Sequence, residues 1–238
     1  MEKIIERQFC SGCGSCYNAC PKQCISMQQD AEGFLYPYID KNICINCGKC
    51  KNVCPVLSDY KGTKKGEAYA CISKNEEIRE KSSSGGIFTL IAEYVIDNHG
   101  VVFGAAFDDE LNVHHIEVKS KHELDKIRGS KYLQSRIEDT YKRIKEYLKA
   151  DIMVLFTGTP CQISGLKAYL GEEYQNLLTQ DIICHGAPSP LIWQKYLKHT
   201  ELSMGKIIDK NEAPQFRNKR SGWTNYSIVL NFTDNTQQ

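Results

Sequence analysis

The sequence predicts an α+β chain in two parts: a small cysteine-rich amino-terminal domain, then an α/β domain on a largely parallel sheet. Three observations predict this. Nine of the 12 cysteines fall within the first 54 residues. Residues 58–66 are polar and glycine-bearing, as linkers are. Beyond them, short apolar runs alternate with amphipathic segments, the pattern of strand–helix repeats with right-handed crossovers. A length of 238 residues accommodates one or two domains. The expected boundaries are therefore 1–57, a linker at 58–66, and 67–238.

Composition excludes several functions. Lys+Arg 30 against Asp+Glu 29 leaves a net charge of +1, with no basic excess to hold a nucleic-acid backbone. The longest apolar stretch, around residues 152–156, is far short of the roughly 20 residues that span a bilayer, so no membrane insertion is expected. The first seven residues carry acidic side chains and no apolar core, unlike a secretory signal. A cytoplasmic location follows as the expectation, and it disfavours a disulfide scaffold. The cysteines are read as metal ligands.

Their spacing is specific. Cys10-x-x-Cys13-x-x-Cys16-x-x-x-Cys20-Pro21 recurs as Cys44-x-x-Cys47-x-x-Cys50-x-x-x-Cys54-Pro55. In bacterial ferredoxins the first three cysteines of such a run hold one cubane and the fourth ligates the other. On that rule Cys10, Cys13, Cys16 and Cys54 take one 4Fe–4S cluster, and Cys44, Cys47, Cys50 and Cys20 the second. Gly12, Gly14 and Gly48 leave room for backbone N–H groups at the sulfurs. Zinc also accepts paired Cys-x-x-Cys motifs, but does not call for a third cysteine at the same step and a fourth before proline, twice over. Cys24 and Cys71 lie outside the pattern and are read as buried packing thiols. Residues 34–39 form an apolar run that Pro37 restricts to a sheet edge.

The second part is expected to begin with a strand at 67–72. Ser82 to Gly86 then opens a helix with Ile87, Leu90, Ile91, Tyr94 and Val95 on one face, ending at Gly100. Strands follow at 101–107 and 113–118 around an acidic turn. Ser120 and Glu123 form a capping-box pair before a short helix, and Ile137, Tyr141, Ile144 and Leu148 mark another. A strand at 151–156 leads through a glycine loop to a helix with Ile163, Leu166, Tyr169 and Leu170. A strand at 177–183 is followed by Ser189-Pro190, a cap and first-turn proline for a helix to about Leu197. Residues 225–232 read as a strand, with no room left for a returning one, so the domain is expected to be incomplete at its carboxyl end.

Four motifs stand out in order: Ser83-Ser84-Gly85-Gly86, Arg128-Gly129-Ser130-Lys131-Tyr132, Thr157-Gly158-Thr159-Pro160-Cys161-Gln162, and Cys184-His185-Gly186-Ala187-Pro188-Ser189-Pro190. By residue type, Ser82 to Gly86 is either an anion site at a helix N-terminus or an ordinary serine cap. Arg128, Ser130 and Lys131 form a phosphate clamp or a solvated basic turn. The last two motifs each follow an apolar strand, and strand carboxyl ends share one edge of a parallel sheet, where ligands bind. Cys161 and Cys184, the latter with His185 beside it, are open to three readings: redox or catalytic thiols, ligands of a further metal centre with borrowed partners, or structural thiols. Arg217, Lys219, Arg220 and Trp223 form either an anion-holding loop or a solvated hairpin tip. His99, His114, His115, His122 and His199 show no metal-ligand spacing.

Together these motifs and the cysteine repeat resemble the beta subunit of the coenzyme F420-reducing hydrogenase and dehydrogenase family, across nearly the whole chain. The resemblance implies an iron–sulfur flavoprotein oxidoreductase subunit, with FAD held by Ser83, Ser84, Gly85, Gly86, Arg128, Ser130, Lys131, Thr157, Gly158 and Thr159. It implies electron transfer between two 4Fe–4S clusters and a small organic substrate or a deazaflavin, with Cys161, Cys184 and His185 as candidate catalytic residues. A further iron–sulfur centre near Cys161 and Cys184 stays open. The expected protein partner is an electron donor or acceptor: a ferredoxin, or a hydrogenase or dehydrogenase subunit. Two alternatives from other classes are an electron-transfer adaptor docking a separate reductase, and a zinc-bound interaction protein.

Overall fold

The computed structural model describes residues 3–57, 66–222 and 224–238. The linker at 58–65 and Trp223 lie outside them. The chain combines a cysteine-rich amino-terminal half with a mixed α/β half, as expected.

In the first half a short helix, α1 (Ser15–Ala19), leads to a hairpin of β1 (Ile25–Gln29) and β2 (Leu35–Ile39), followed by α2 (Lys49–Asn52). Both helices start at a glycine with positive φ, Gly14 at 76° and Gly48 at 75°. The sequence repeat is thus a repeat of backbone geometry, with left-handed residues that glycine adopts without steric cost. β1 lacks a β-branched run and was not foreseen. It pairs antiparallel with β2, Met27 opposite Pro37, and in a two-stranded ribbon both strands are edges, so Pro37 is tolerated. The core of this half is Ile4, Ile25 and Ile39 together with Cys20, Cys24 and Cys50.

The second half runs α3 (Glu76–Glu80), α4 (Ile87–Asp97), β3 (Val101–Phe107), β4 (Val113–Val118), α5 (Leu124–Ile127), α6 (Thr140–Lys149), β5 (Val154–Gly158), α7 (Pro160–Leu170), β6 (Leu177–Asp181), α8 (Pro190–Met204), β7 (Gln215–Asn218) and β8 (Ser227–Val229). The main sheet has the order β4-β3-β5-β6. β3–β5 and β5–β6 are parallel, and β3–β4 is an antiparallel hairpin. Central strands buried on both faces read as continuous apolar runs. Val101 to Phe103 and Val154 to Phe156 are such runs, all nearly inaccessible. Tyr141, Ile144, Leu148, Ile163 and Leu166 of α6 and α7 cover one face against Phe103 and Phe156. Ala92, Val95, Leu124 and Ile127 of α4 and α5 cover the other. A third cluster, including Trp193, Leu197, Phe216 and Phe232, seats α8 and the β7–β8 ribbon.

Five expectations need correction. Residues 67–72 are not a strand: Tyr69 and Ile72 are 77% and 70% exposed, so neither face of the segment gains packing. Cys71, read as a buried thiol, is exposed. The buried face of α4 is Thr89, Ala92 and Val95, with Leu90 and Tyr94 outside; the small side chains let the helix lie close on the sheet. At the carboxyl end a short return does form, with Leu230 N–H donating to Gln238 O at 2.9 Å and Phe232 N–H to Thr236 O at 2.9 Å. α8 runs to Met204, where Gly205 caps it, rather than ending near Leu197. No helix among the described residues is long and apolar enough to cross a membrane.

Candidate functional site

The nine amino-terminal cysteines surround two voids. One is lined by Cys10, Cys13, Cys16 and Cys54. The other is lined by Cys20, Cys44, Cys47 and Cys50, with Cys24 as a fifth thiol. Cys54 of the second run thus lines the void of the first, and Cys20 of the first run lines the void of the second. Burial pushes the Cys13 thiol up to about 11 and raises Cys16 and Cys10, with neighbouring sulfurs adding to the shift. Backbone N–H groups of Gly12, Ser15 and Tyr17 point the other way, toward the sulfurs of Cys10, Cys13 and Cys16. Such a set, dehydrated and lined with N–H donors, is suited to ligate an iron–sulfur cluster as thiolates. Among the described residues no three His, Cys, Asp or Glu side chains gather tightly enough for a single metal ion. Thiols spaced around a void fit a polynuclear cluster better than a lone zinc. Cys24 is buried, as read, but its Sγ lies 3.4 Å from Cys20 Sγ.

The first group is clamped to the α/β half. Tyr141, fully buried, donates its hydroxyl to both Cys13 O and Gln162 O at 2.8 Å. A Cβ at Gly165 of α7 would stand 3.0 Å from Cys13 Sγ and 3.2 Å from the Tyr141 hydroxyl, so a larger residue would crowd this contact. Gln134 bonds Leu35 of β2 twice, accepting from its N–H at 2.7 Å and donating to its carbonyl at 3.1 Å. These groups were not read from the sequence, because their partners lie about a hundred positions away.

Between the halves lies a cavity of about 580 Å³, in the range of small-molecule sites. All four motifs reach it, and so do Cys10, Ser11 and Gly12 of the first group and the exposed Cys71. Thr157, Gly158 and Gln180 stand at the carboxyl ends of β5 and β6, the edge where ligands of parallel sheets bind. α7 opens with a complete capping box, Thr159 with Gln162, and Pro160 in its first turn. Cys161 lines the cavity from that turn, its Sγ 3.1 Å from Thr159 Oγ1. Cys184 lines the cavity from the loop after β6. His185 is exposed and is not a lining residue.

The serine–glycine and arginine–lysine motifs interlock. Ser83 Oγ accepts from Ser130 N–H at 2.8 Å. Gly86, at φ 84°, caps α4 with no side-chain partner for its first amides, so Ser82 is not the cap; its hydroxyl donates to Ile78 O at 2.6 Å. The Arg128 guanidinium is engaged by Asp125 and by Thr89 Oγ1. Lys131 donates to the carbonyls of Arg128 and Gly129 at 3.1 and 3.3 Å, and burial pulls its ammonium down to about 7. Of the two cations, Lys131 is therefore the one with no carboxylate partner among the described residues.

Two lining residues had no sequence signal. His115 is buried and held near 4 by burial, hence neutral. Its Nε2 lies 3.0 Å from Thr157 O, a pure acceptor, so Nε2 carries the proton and Nδ1 accepts from Ser135 Oγ at 2.8 Å. It ties β4 to the threonine–glycine loop. Gln180 Oε1 is buried without a hydrogen-bond donor among the described residues. Of the basic carboxyl-terminal loop, Arg217 stacks on Tyr226 at 4.7 Å and Lys219 reaches Arg79 O at 2.8 Å, and neither lines this cavity.

Two voids ringed by cysteine, backed by an α/β half with a cleft at its sheet edge, define an iron–sulfur protein of the dicluster type, and residues 9–57 match the 4Fe-4S dicluster domain. A second 4Fe-4S dicluster model covers residues 36–84. The chain belongs to the coenzyme F420 hydrogenase/dehydrogenase beta subunit family: residues 68–141 match its N-terminal domain and residues 152–234 its C-terminal domain. Among curated proteins it is similar to an uncharacterized ferredoxin of Methanocaldococcus jannaschii, 42% identical over 38 residues, which are 16% of this chain and 49% of the ferredoxin. Among solved structures it is similar to a chain of the F420-reducing NiFe hydrogenase complex from Methanosarcina barkeri, at 18% identity and TM-score 0.46, over 70% of this chain and 57% of that one. The chain thus spans about half the length of these relatives.

Proposed function

We propose that the chain is the electron-transferring flavoprotein subunit of an oxidoreductase, holding two 4Fe–4S clusters and FAD. One observation carries this reading. A single cavity is walled by the first cysteine group on one side and by all four motifs of the α/β half on the other, so a redox cofactor seated there adjoins the cysteines. The residues fit a flavin dinucleotide. Lys131 and the amides at Gly86 suit its phosphates, and Gln180 Oε1 lacks the ring N–H donor that a flavin offers.

Cys10, Cys13, Cys16 and Cys54 would hold the first cluster, and Cys20, Cys44, Cys47 and Cys50 the second. A flavin, when bound, supplies the exchange between one-electron and two-electron transfer. The chain's own residues prepare the site. His115 fixes the Thr157 carbonyl and the Ser135 hydroxyl in the wall, Tyr141 fixes the first cysteine loop against α7, and Lys131 lines the cavity as a hydrogen-bond donor with no carboxylate beside it. Cys161 lines the same cavity as Cys10 of the first group. The substrate is a small organic acceptor or a deazaflavin, and the protein partner a one-electron carrier or an oxidoreductase subunit.

The test is anaerobic reconstitution followed by desalting, with iron, sulfide and flavin analysis. The expected result is about eight iron atoms per chain, with FAD retained by the wild type and lost on Lys131→Glu. Fewer than about five iron atoms, or no flavin retained after supplementation, overturns the reading.

A further inference from the structure

The two cysteine groups face different surroundings. The first lies against the cavity and under α7. The second void is bounded by Lys22, Ile45, Cys47 and Gly48, and Cys47 is exposed. Around it Ile43 and Ile45 are 49% and 57% exposed. Lys22, Lys41, Lys49 and Lys51 are exposed as well. Asp40 is the only carboxylate within residues 39–54. It is partly buried and accepts from Asn42 N–H at 2.9 Å. Elsewhere exposed lysines pair with acids, as Lys81 does with Glu77, Lys121 with Asp97 and Lys210 with Glu110. Lys22, Lys49 and Lys51 enter no ion pair among the described residues. With a chain near neutrality overall, this is a local concentration of positive charge around a small apolar centre.

Transient redox interfaces are small, apolar at the centre and charged at the rim, and the rim charge steers encounter. Resting on the iron–sulfur reading above, we infer that this lysine-rimmed face over the second cysteine group is the docking surface for an acidic one-electron carrier protein. The carrier gives one electron to the second cluster and is itself oxidised. No bond forms and no proton moves. The first cluster, against the cavity, is the inner relay. An apolar centre of two isoleucines beside an exposed cluster ligand favours a protein over a bilayer surface, which offers no acceptor or donor.

The test uses the full chain, reconstituted anaerobically, with an acidic 2Fe–2S ferredoxin as the probe. Binding is measured by titration calorimetry at low and high salt, and cluster reduction by stopped flow. Lys49→Glu with Lys51→Glu should weaken binding by about tenfold or more at low salt, and high salt should close the gap. Reduction by the ferredoxin should slow in step, while reduced methyl viologen bleaches both proteins equally. Lys195→Glu with Lys198→Glu, on α8 of the other half, should leave binding unchanged. Equal losses for both pairs, no loss for either, or tighter binding to anionic vesicles than to the ferredoxin overturns the inference. If viologen bleaches nothing in an iron-poor wild type, the iron–sulfur reading itself has failed, which is a distinct result.

Discussion

The two cysteine runs have the same spacing and the same left-handed glycine before a short helix, yet they occupy opposite situations. The first run is built into the α/β half: Cys13 O takes the Tyr141 hydroxyl, a Cβ at Gly165 would crowd Cys13 Sγ, and Cys10 borders the cavity. The second run borders solvent and lysines, and nothing lies within 4 Å of where a Cβ at Gly48 would stand. Identical local motifs therefore yield an inner and an outer centre, and the difference comes from what packs on each.

The strongest break in this comparison is ligand removal. Cys13→Ser and Cys47→Ser should each cut iron from about eight to about four per chain, but only Cys13→Ser should also loosen flavin, as read by retention after desalting. If both leave the iron content intact, neither centre exists as described.

Acid separates the wall of the first group from the rest. His115 binds its proton near 4 in the folded chain against 6.5 ordinarily, because burial disfavours the charge. Between those values the unfolded chain binds more protons, so stability falls as pH drops from about 6.5 to about 4. At about 1.4 kcal/mol per unit the loss reaches roughly 3 kcal/mol. Urea midpoints across that window should show it, and His115→Gln should flatten the slope.

Packing sharpens the contrast further. Gly165→Ala should cost about 1–3 kcal/mol by overpacking against Cys13 and Tyr141, and should perturb the electron paramagnetic resonance of one cluster only. Gly48→Ala meets open space and should cost only the backbone strain of its positive φ, about 1 kcal/mol. Equal costs in thermal denaturation would mean the two groups are packed alike.

The finest distinction concerns the fifth thiol. Cys24 Sγ lies 3.4 Å from Cys20 Sγ, whereas the equivalent position of the other run is Ser58. Cys20→Ser should therefore retain more iron than Cys54→Ser, with Cys24 standing in, and adding Cys24→Ala should abolish the advantage.

Much of the architecture was legible from local signals. β3, β4, α6 and α7 match their apolar periods, because both faces of the sheet are covered and side-chain pattern then reports burial. The strand expected at 67–72 failed, since apolar residues make a strand only where a neighbour covers them. The site divides in the same way. The eight cysteines and the four motifs are visible as residue types at set spacings, whereas His115, Tyr141 and Gly165 are ordinary residues made specific by distant partners.

By itself, the sequence determined the 4Fe–4S dicluster class and the strand–helix order, because each depends on spacing along a few covalent turns. Only the tertiary structure decided which cysteine group faces the cavity and that Tyr141 and Gly165 pack against it. Those outcomes depend on which side chains, more than a hundred positions apart, meet when apolar surface leaves water.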